Sequence, residues 1–329
     1  MPLSSKQRDF MRQIAVFVFV ILAGCAAAGD DAADLILKIM PNDTLNYVWQ
    51  IKSISDSSGI ERGRKFTLAA DSTFGMTLVL RGMPVAPAKR KEGVAPISIR
   101  IKDQSYIDKR SIEDSKTELF IAKGKMKYTE NGKVLVDSDN DIGLDKMGEY
   151  QENFKKMENS EMRAVLDPAG RQSEVLGDEA IVNSIKNSGA QGLFPILSGR
   201  STKVGESWDE SFQMPQIGDF KLAKPLTVKS KMTFTKWVEK DGKKLAQVDL
   251  TTAWETLDLR GENDSGMLVE ISKVFGTGNG SCLFDPSNGR FTEGMIDFTM
   301  KYRIDGEKNG EKSGLDVNGK THFTFYMKP

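Results

Sequence analysis

Apolar and polar residues alternate along several segments of this chain. The alternation is clearest in residues 74–80, 97–101, 232–235 and 296–302. Successive side chains of a β-strand point to opposite faces, so a period of two predicts strands with one buried face. Asn-Gly or Asp-Gly pairs begin at Asn131, Asp241 and Asn318 between strand-like runs, where a tight hairpin needs positive φ. The pattern predicts antiparallel strands joined by short hairpin turns.

Helical periodicity is confined to two segments. Residues 144–157 place large apolar side chains at helical spacing, and residues 178–187 begin with Asp178 and are followed by Gly189. The sequence therefore predicts a mainly β protein with a few short helices. Two arrangements stay open: a curved open antiparallel sheet resembling the half-barrel of lipoprotein carriers, or two packed β-rich halves.

Two similar turns support the second arrangement. Residues 167–171 read Asp-Pro-Ala-Gly-Arg, and residues 285–290 read Asp-Pro-Ser-Asn-Gly-Arg. Their repetition suggests two related halves that meet near residues 188–200, although Asp-Pro-x-Gly is a common turn by itself.

The N-terminal segment has the features of a secretion signal. Three basic residues precede the unbroken apolar residues 14–24, which rise about 16 Å as a helix, about half of a bilayer's hydrocarbon core. The segment ends in Leu22-Ala23-Gly24-Cys25, which resembles the bacterial lipobox. This resemblance implies cleavage before Cys25 and attachment of acyl chains, including palmitate, to that residue. The alternative is an ordinary secretory signal cut after Ala28.

This reading divides the chain into three parts. We expect a lipoprotein signal peptide in residues 1–24, a lipid anchor and tether in residues 25–44, and a β-rich domain in residues 45–329. Position 26 is Ala rather than Asp, and resemblance to enteric sorting rules then implies an outer-membrane protein facing the periplasm.

Composition narrows the classes of function. Lys+Arg and Asp+Glu both number 46, so the chain lacks the positive excess typical of nucleic-acid binders. His322 is the single histidine, so the sequence offers few residues from which a histidine-dependent triad or metal site could be built. Once Cys25 is acylated, Cys282 has no disulfide partner. Because Cys282 alternates with Phe284, we expect it to be a small core residue.

Three motifs suggest chemistry that their context does not support. Residues 314–321 match the P-loop pattern, but a strand-like segment follows them, so we read Asn318-Gly319 as a hairpin turn and predict no nucleotide. Residues 137–143 resemble the start of an EF-hand with the wrong spacing, which favours a solvated acidic loop over a loose calcium site. Alternate glycines in residues 276–280 leave one strand face bare for close approach of another element or a ligand. We assign no catalytic residue, metal or cofactor.

Several short motifs carry a family resemblance. They are Phe194-Pro195, Val204-Gly205-Glu206-Ser207-Trp208, Phe284-Asp285 and Gly289-Arg290. This pattern resembles a family of bacterial secreted proteins and lipoproteins described as a domain of unknown function, over residues 130–305. The resemblance implies a β-rich fold and an envelope location but no activity. From its position alone, Trp208 is expected to be a buried anchor at the start of a strand.

These observations lead to one functional hypothesis with two alternatives. The sequence favours a non-catalytic, lipid-anchored protein of the bacterial cell envelope that contacts the membrane through Cys25 and binds a hydrophobic or amphiphilic ligand. The first alternative is an envelope protein that binds another protein or a cell-wall polymer. The second is a glycoside hydrolase with paired carboxylates, which the sequence does not exclude.

Overall fold

A computed structural model describes residues 31–329 except 62–63, 85–93, 144–155, 157, 159, 178–181, 183–192, 218–219, 257–258, 263–267 and 309–310. The predicted signal peptide, Cys25 and most of both predicted helices lie outside these residues. Lys156, Glu158 and Val182 are described and are helical. None of the described helical residues belongs to a helix long and apolar enough to cross a bilayer.

Seventeen strands make up nearly all of the described chain. They are β1 (Ala32–Asp34), β2 (Thr44–Glu61), β3 (Arg64–Gly82), β4 (Ala95–Ile112), β5 (Ser115–Ala122), β6 (Lys125–Glu130), β7 (Lys133–Asp137), β8 (Glu161–Leu166), β9 (Gln172–Leu176), β10 (Ser201–Lys203), β11 (Ser207–Ile217), β12 (Phe220–Lys240), β13 (Lys243–Thr256), β14 (Leu259–Glu262), β15 (Leu268–Asp285), β16 (Arg290–Lys308) and β17 (Glu311–Met327).

Fifteen of these strands form one curved, open antiparallel sheet, which confirms the first of the two predicted arrangements. Its main path runs β11-β12-β13-β15-β16-β17-β2-β3-β4-β5-β6-β7. Two meanders, one from each half of the chain, therefore meet where β17 pairs with β2. Strands β8 and β9 continue beside β4, β14 pairs with β12 and β15, and β1 pairs with β10 in a separate two-stranded sheet.

The predicted hairpin turns have two outcomes. Asn131 and Gly132 have φ of 49° and 79°, and Asp241 and Gly242 have φ of 51° and 72°, so these turns are confirmed. The turn predicted at Asn318-Gly319 is wrong, because both residues lie within β17 and pair with β16 and β2. Alternation continues unbroken from Leu315 through Phe325. A turn here would break a strand that is hydrogen-bonded on both sides.

One face of the sheet, here called the inner face, carries the core. At one end of the long strands, here called the proximal end, this face packs against Phe194, which is 3% exposed. The ring of Phe194 lies 4.4 Å from Tyr47, 5.6 Å from Phe291 and 5.7 Å from Phe325, measured between centroids. Leu193, Ile196 and Leu197 are also buried in this cluster. Aromatic pairs at these separations stabilise a filled core.

Residues 35–39, here called the strap, cross the proximal end. Leu35, Leu37 and Ile39 are at most 7% exposed. The Leu37 amide donates to the Pro168 carbonyl at 2.9 Å, and the Lys38 amide donates to the Gly289 carbonyl at 2.8 Å. Both Asp-Pro turns therefore hold the strap, one on each side. The packed fold begins near Ala32, inside the segment expected as a tether at residues 25–44.

Candidate functional site

A row of mostly polar side chains crosses the inner face. Ten residues of ten neighbouring strands pair in register to form it. In sheet order they are Glu210, Ser230, Thr252, Gly278, Phe298, Thr321, Ser53, Ser72, Asp108 and Leu119. We call it the polar row. The next row toward the proximal end is apolar, apart from one glycine and a tyrosine hydroxyl: Trp208, Met232, Leu250, Gly280, Ile296, Phe323, Ile51, Phe74, Tyr106 and Ile121.

Four of the five hydroxyl-bearing residues of the polar row are buried, and four of the five hydroxyls form two hydrogen-bonded pairs. Ser72 is 4% exposed, Thr252 is 6% exposed and Thr321 is 8% exposed. The Ser230 and Thr252 hydroxyl oxygens lie 2.9 Å apart, and those of Ser53 and Thr321 lie 3.0 Å apart. Burial of a hydroxyl costs free energy unless it is hydrogen-bonded, so these pairs lower the cost of burying the row inside the fold. Each hydroxyl keeps further lone pairs for another donor.

A carboxylate with an arginine partner lies at each end of the polar row. Asp108 is buried, and its carboxylate lies 2.7 Å from Nε of Arg110, two residues along β4. Burial raises the pKa of Asp108 above its ordinary value, although the Arg110 charge opposes that change. At the other end, the Arg171 guanidinium donates a hydrogen bond to the Glu210 carboxylate. Each negative charge that the described residues bring to the row is thus balanced by a positive one.

The next row away from the proximal end contains two glycines in different surroundings. This row, called the glycine row, consists of Trp254, Gly276, Met300, Gly319, Ser55, Ala70, Arg110 and Thr117. A Cβ on Gly276 would lie 2.0 Å from the Trp254 ring, so the indole covers this glycine. A Cβ on Gly319 would meet nothing nearer than 4.0 Å. Gly319 and Ser55 are both half-buried and form an open floor beside the polar row.

The bare face predicted for the alternate glycines is therefore used by neighbouring aromatic rings. Trp254 lies over Gly276, and Phe298 lies 2.3 Å from the Cβ position of Gly278. Cys282, on the same strand, is buried as expected, and burial raises the pKa of its thiol. This shift keeps the thiol protonated and unreactive.

The acidic residues that resemble an EF-hand form a closed turn. The Asp137 carboxylate accepts hydrogen bonds from the Asp139 amide and from Nδ2 of Asn140, both at 3.0 Å. Nζ of Lys125 lies 3.0 Å from the Asp139 carboxylate. Among the described residues, no three His, Cys, Asp or Glu side chains are grouped so that they could hold a metal ion.

The motif residues that carry the family resemblance have structural roles. The Glu206 carboxylate accepts hydrogen bonds from the Lys203 amide at 3.1 Å and from Arg200 at 2.7 Å, which closes the turn before β11. Trp208 follows at the start of β11 and packs partly buried against the core. The Asp285 carboxylate accepts the Ser287 amide at 3.1 Å, and Arg290 binds Asp43 at 2.7 Å.

The described part of the outer face includes a shallow groove and an exposed histidine pair. The groove has a volume of about 250 Å³ and lies over β2 to β5, where Ile54 and Asp71 face Lys109 and Glu118. On the outer face of β16 and β17, Nδ1 of His322 lies 2.8 Å from the Asp297 carboxylate. The sequence alone named no partner for this histidine.

Sequence reasoning found several of the strands that build the site but missed the polar row. The residues of the row are single hydroxyls or carboxylates within otherwise ordinary alternation. Their common position appears only when the register of ten strands is known. The sequence indicates the row in β2, where the residues at inner positions change from Ile51 to Ser53, Ser55 and Ser57.

No family model and no curated protein matches this chain. Among solved structures, an outer membrane channel from Pseudomonas putida F1 aligns at 8% identity over 92% of this chain and 100% of that chain, with a TM-score of 0.21. The translocator domain of the Neisseria meningitidis autotransporter NalP aligns at 7% identity over 85% and 89%, with a TM-score of 0.17. A DUF1329 family protein from Desulfovibrio piger aligns at 8% identity over 82% and 83%, with a TM-score of 0.14. TM-scores this low carry no argument, so the function has to be argued from the residues of this chain.

Proposed function

We propose that this chain is a non-catalytic lipoprotein of the bacterial cell envelope that binds an amphiphilic ligand along the inner face of its sheet. Acyl groups on Cys25 anchor it, in the outer membrane facing the periplasm. The polar row beside an apolar core is the observation that carries the proposal. A ligand site combines mainly apolar walls with a few placed polar groups, and the inner face offers both within neighbouring rows.

The ligand lies along the polar and glycine rows. The proximal end is already occupied, because Phe74, Met76, Leu78 and Leu80 are buried in the same core cluster as Phe194 and the strap. The floor at Gly319 and Ser55 is open, and the neighbouring Met300 is a flexible apolar side chain at the edge of that cluster. An acyl chain over Gly319 and Ser55 and a head group at the hydroxyls match this distribution of polarity.

The strap supports the anchoring part of the proposal. The residues between Cys25 and Ala32 reach at most about 25 Å when extended. Because Ala32 pairs with Lys203 and the strap follows directly, this short connection holds the folded domain close to the membrane surface. Lipid extracted from the membrane therefore has a short path to the protein.

The ligand is tested by native mass spectrometry of the mature protein purified with its anchor. We expect bound lipid in addition to the covalent acyl groups. Ser55→Trp should remove it, since an indole at position 55 can lie over Gly319 as Trp254 lies over Gly276. Ser58→Trp is the matched control, because Ser58 is exposed on the opposite face of β2. A lipid-free wild-type protein, or equal lipid loss in both variants, contradicts the proposal.

The anchor is tested with labelled palmitate in the producing cell. Cys25→Ser should abolish incorporation of the label and leave an unprocessed precursor or a soluble product. Cys282→Ala is the control, because the Cys282 thiol is buried and should carry no label. Label that persists in Cys25→Ser would refute lipidation at this residue.

The outer groove favours a second function, which is binding of an envelope protein. Ile54, Ile107 and Phe120 are 37–44% exposed around this groove, and exposed apolar groups beside charged ones are typical of interaction surfaces. A photo-crosslinking amino acid at position 120 should then capture one specific partner in the cell. The same amino acid at position 275, where Phe275 is 45% exposed on β15, is the control and should capture none.

A further inference from the structure

We infer that the head group of the ligand is uncharged and bears hydroxyl or carbonyl oxygens, and that Trp254 donates a hydrogen bond to it. This inference rests on the proposed function, since it names the chemical class of the ligand at the same inner face. It is carried by an indole N–H without a partner and by the balance of charge along the polar row.

The indole of Trp254 is buried without a hydrogen-bond acceptor. Trp254 is 5% exposed, and its Nε1 has no partner among the described residues. The ring lies over Gly276 on the inner face, in the glycine row. A buried N–H that loses its hydrogen bond to water costs free energy. Such groups are rare in folded proteins and call for a specific cause. An oxygen atom of a ligand in the glycine row would remove this cost.

Hydroxyl groups lie within reach of the same head group. Thr252 is two residues before Trp254 on β13, so its side chain projects from the same face about 7 Å away. Ser230 pairs with Thr252, and each hydroxyl can form bonds beyond the one that joins them. An indole donor beside two hydroxyls matches a head group that both accepts and donates, as a glycerol or sugar hydroxyl does.

The charges of the row argue against an anionic head group. The carboxylate of Asp108 contacts Arg110, and that of Glu210 contacts Arg171. A carboxylate or phosphate placed between these two ion pairs would lose its hydration. Among the described residues of the row, no cation is left to balance its charge, so its burial would cost free energy. A neutral head group avoids this cost.

The test compares three probes that share one oleoyl chain. They are 1-monooleoylglycerol, oleate at pH 8, and oleoyl lysophosphatidylglycerol, each titrated onto the delipidated mature protein and followed by native mass spectrometry. We expect 1-monooleoylglycerol to bind at least tenfold more tightly than either anion. Equal or tighter binding of an anion overturns the neutral class but leaves the proposed function standing. Binding of none of the three overturns both.

The role of the indole is tested by Trp254→Phe, which keeps an aromatic ring at position 254 and removes the donor together with one ring of the indole. We expect binding of 1-monooleoylglycerol to weaken about threefold to tenfold, the value of one neutral hydrogen bond, whereas the smaller ring lowers the melting temperature of this variant and of its control alike. Trp237→Phe is the matched control, because it also removes a buried unpartnered indole N–H but lies toward the proximal end beside Phe234 and Lys244. Unchanged affinity in Trp254→Phe overturns the assignment. If that variant does not fold, Thr252→Val provides the same comparison through its hydroxyl.

Discussion

The two ends of β2, a central strand of the sheet, differ in what its inner face carries. On β2, the inner positions are Leu45, Tyr47, Trp49 and Ile51 at the proximal end, and Ser53, Ser55 and Ser57 beyond it. The proximal positions are at most 5% exposed and pack against Phe194 and other aromatic rings. Ser53 and Ser55 pair with members of the polar and glycine rows, and Ser57 pairs with Val317 and Leu68.

This difference separates stability from binding within single strands. Large apolar side chains at the proximal end exclude water and supply most of the free energy of folding. On β2, the serine end adds backbone hydrogen bonds but little apolar burial. Side chains of a site at the serine end can therefore change without loss of the fold. The following predictions test this division between stability and binding in order of decreasing effect.

The largest effect is expected at the centre of the proximal cluster. Phe194→Ala should lower the free energy of unfolding by about 3–5 kcal/mol, because it removes a ring that contacts at least three other rings and leaves a cavity. Urea unfolding followed by tryptophan fluorescence measures the change. Phe120→Ala is the control, since Phe120 is 43% exposed on the outer face and its loss should cost less than about 1 kcal/mol. Similar losses in both variants would contradict the division.

The two glycines of the glycine row should respond in opposite directions to alanine. Gly276→Ala places a methyl group 2.0 Å from the Trp254 ring and should destabilise the fold by about 2 kcal/mol through overpacking. Gly319→Ala meets no atom within 4.0 Å and should stabilise it by about 0.5 kcal/mol through reduced chain entropy. Thermal unfolding of both variants measures the difference. Destabilisation by Gly319→Ala would show that the floor is filled.

A smaller effect is expected within the polar row. Thr321→Val keeps the side-chain shape but leaves the Ser53 hydroxyl without its 3.0 Å partner, and should cost about 1 kcal/mol. Thr324→Val lies on the other face of β17 and should change stability by no more than about 0.5 kcal/mol. If Thr321→Val is neutral, the hydroxyl pair contributes nothing to folding.

The smallest effect concerns the response to acid. Burial alone would raise the pKa of Asp285, but hydrogen bonds from Ser287 and Asn288 hold it below its ordinary value. Its contribution is present above the ordinary pKa of about 4 and is lost as the pH falls through the lower folded value. Asp108, whose folded pKa is raised, behaves oppositely and favours folding as the pH falls.

Urea midpoints between pH 7 and pH 3 separate these two carboxylates. Asp285→Asn should flatten the loss of stability in acid, because it removes a group that resists protonation in the fold. Asp108→Asn should steepen that loss, because it removes the group that gains from protonation. Parallel curves for the two variants would mean that the two carboxyl groups share one kind of environment.

Much of the sheet could be predicted from sequence, because its signals are local. The alternation of residues 74–80 and the Asp241-Gly242 turn depend only on neighbouring residues. The prediction failed where local signals conflicted with distant partners. Asn318-Gly319 is a good turn sequence that two neighbouring strands hold extended. The small and acidic residues before the strap indicate a tether, although Leu35, Leu37 and Ile39 are buried in the folded domain.

The candidate site was less predictable, because it depends on register. Thr321 and Asp108 come from opposite halves of the chain, and nothing near either residue indicates that Ser53 and Ser72 connect them. A shift of one residue in any strand would move its hydroxyl to the outer face. Trp254 could be recognised as a large apolar residue, but its position over Gly276 required the pairing of β13 with β15.

The pairing of β17 with β2 has a consequence for how the chain folds. Met327 pairs with Tyr47 and Gly314 pairs with Ile60, so the centre of the sheet joins segments more than 250 residues apart. Contacts of such high sequence separation form slowly. Until β17 has emerged, β2 and β16 each present an unpaired edge that can recruit other chains. A chain that emerges from its N-terminus therefore exposes the free edge of β2, one of the two middle strands of the main path, for longest, because β16 directly precedes β17. A holding chaperone would be needed most at that edge.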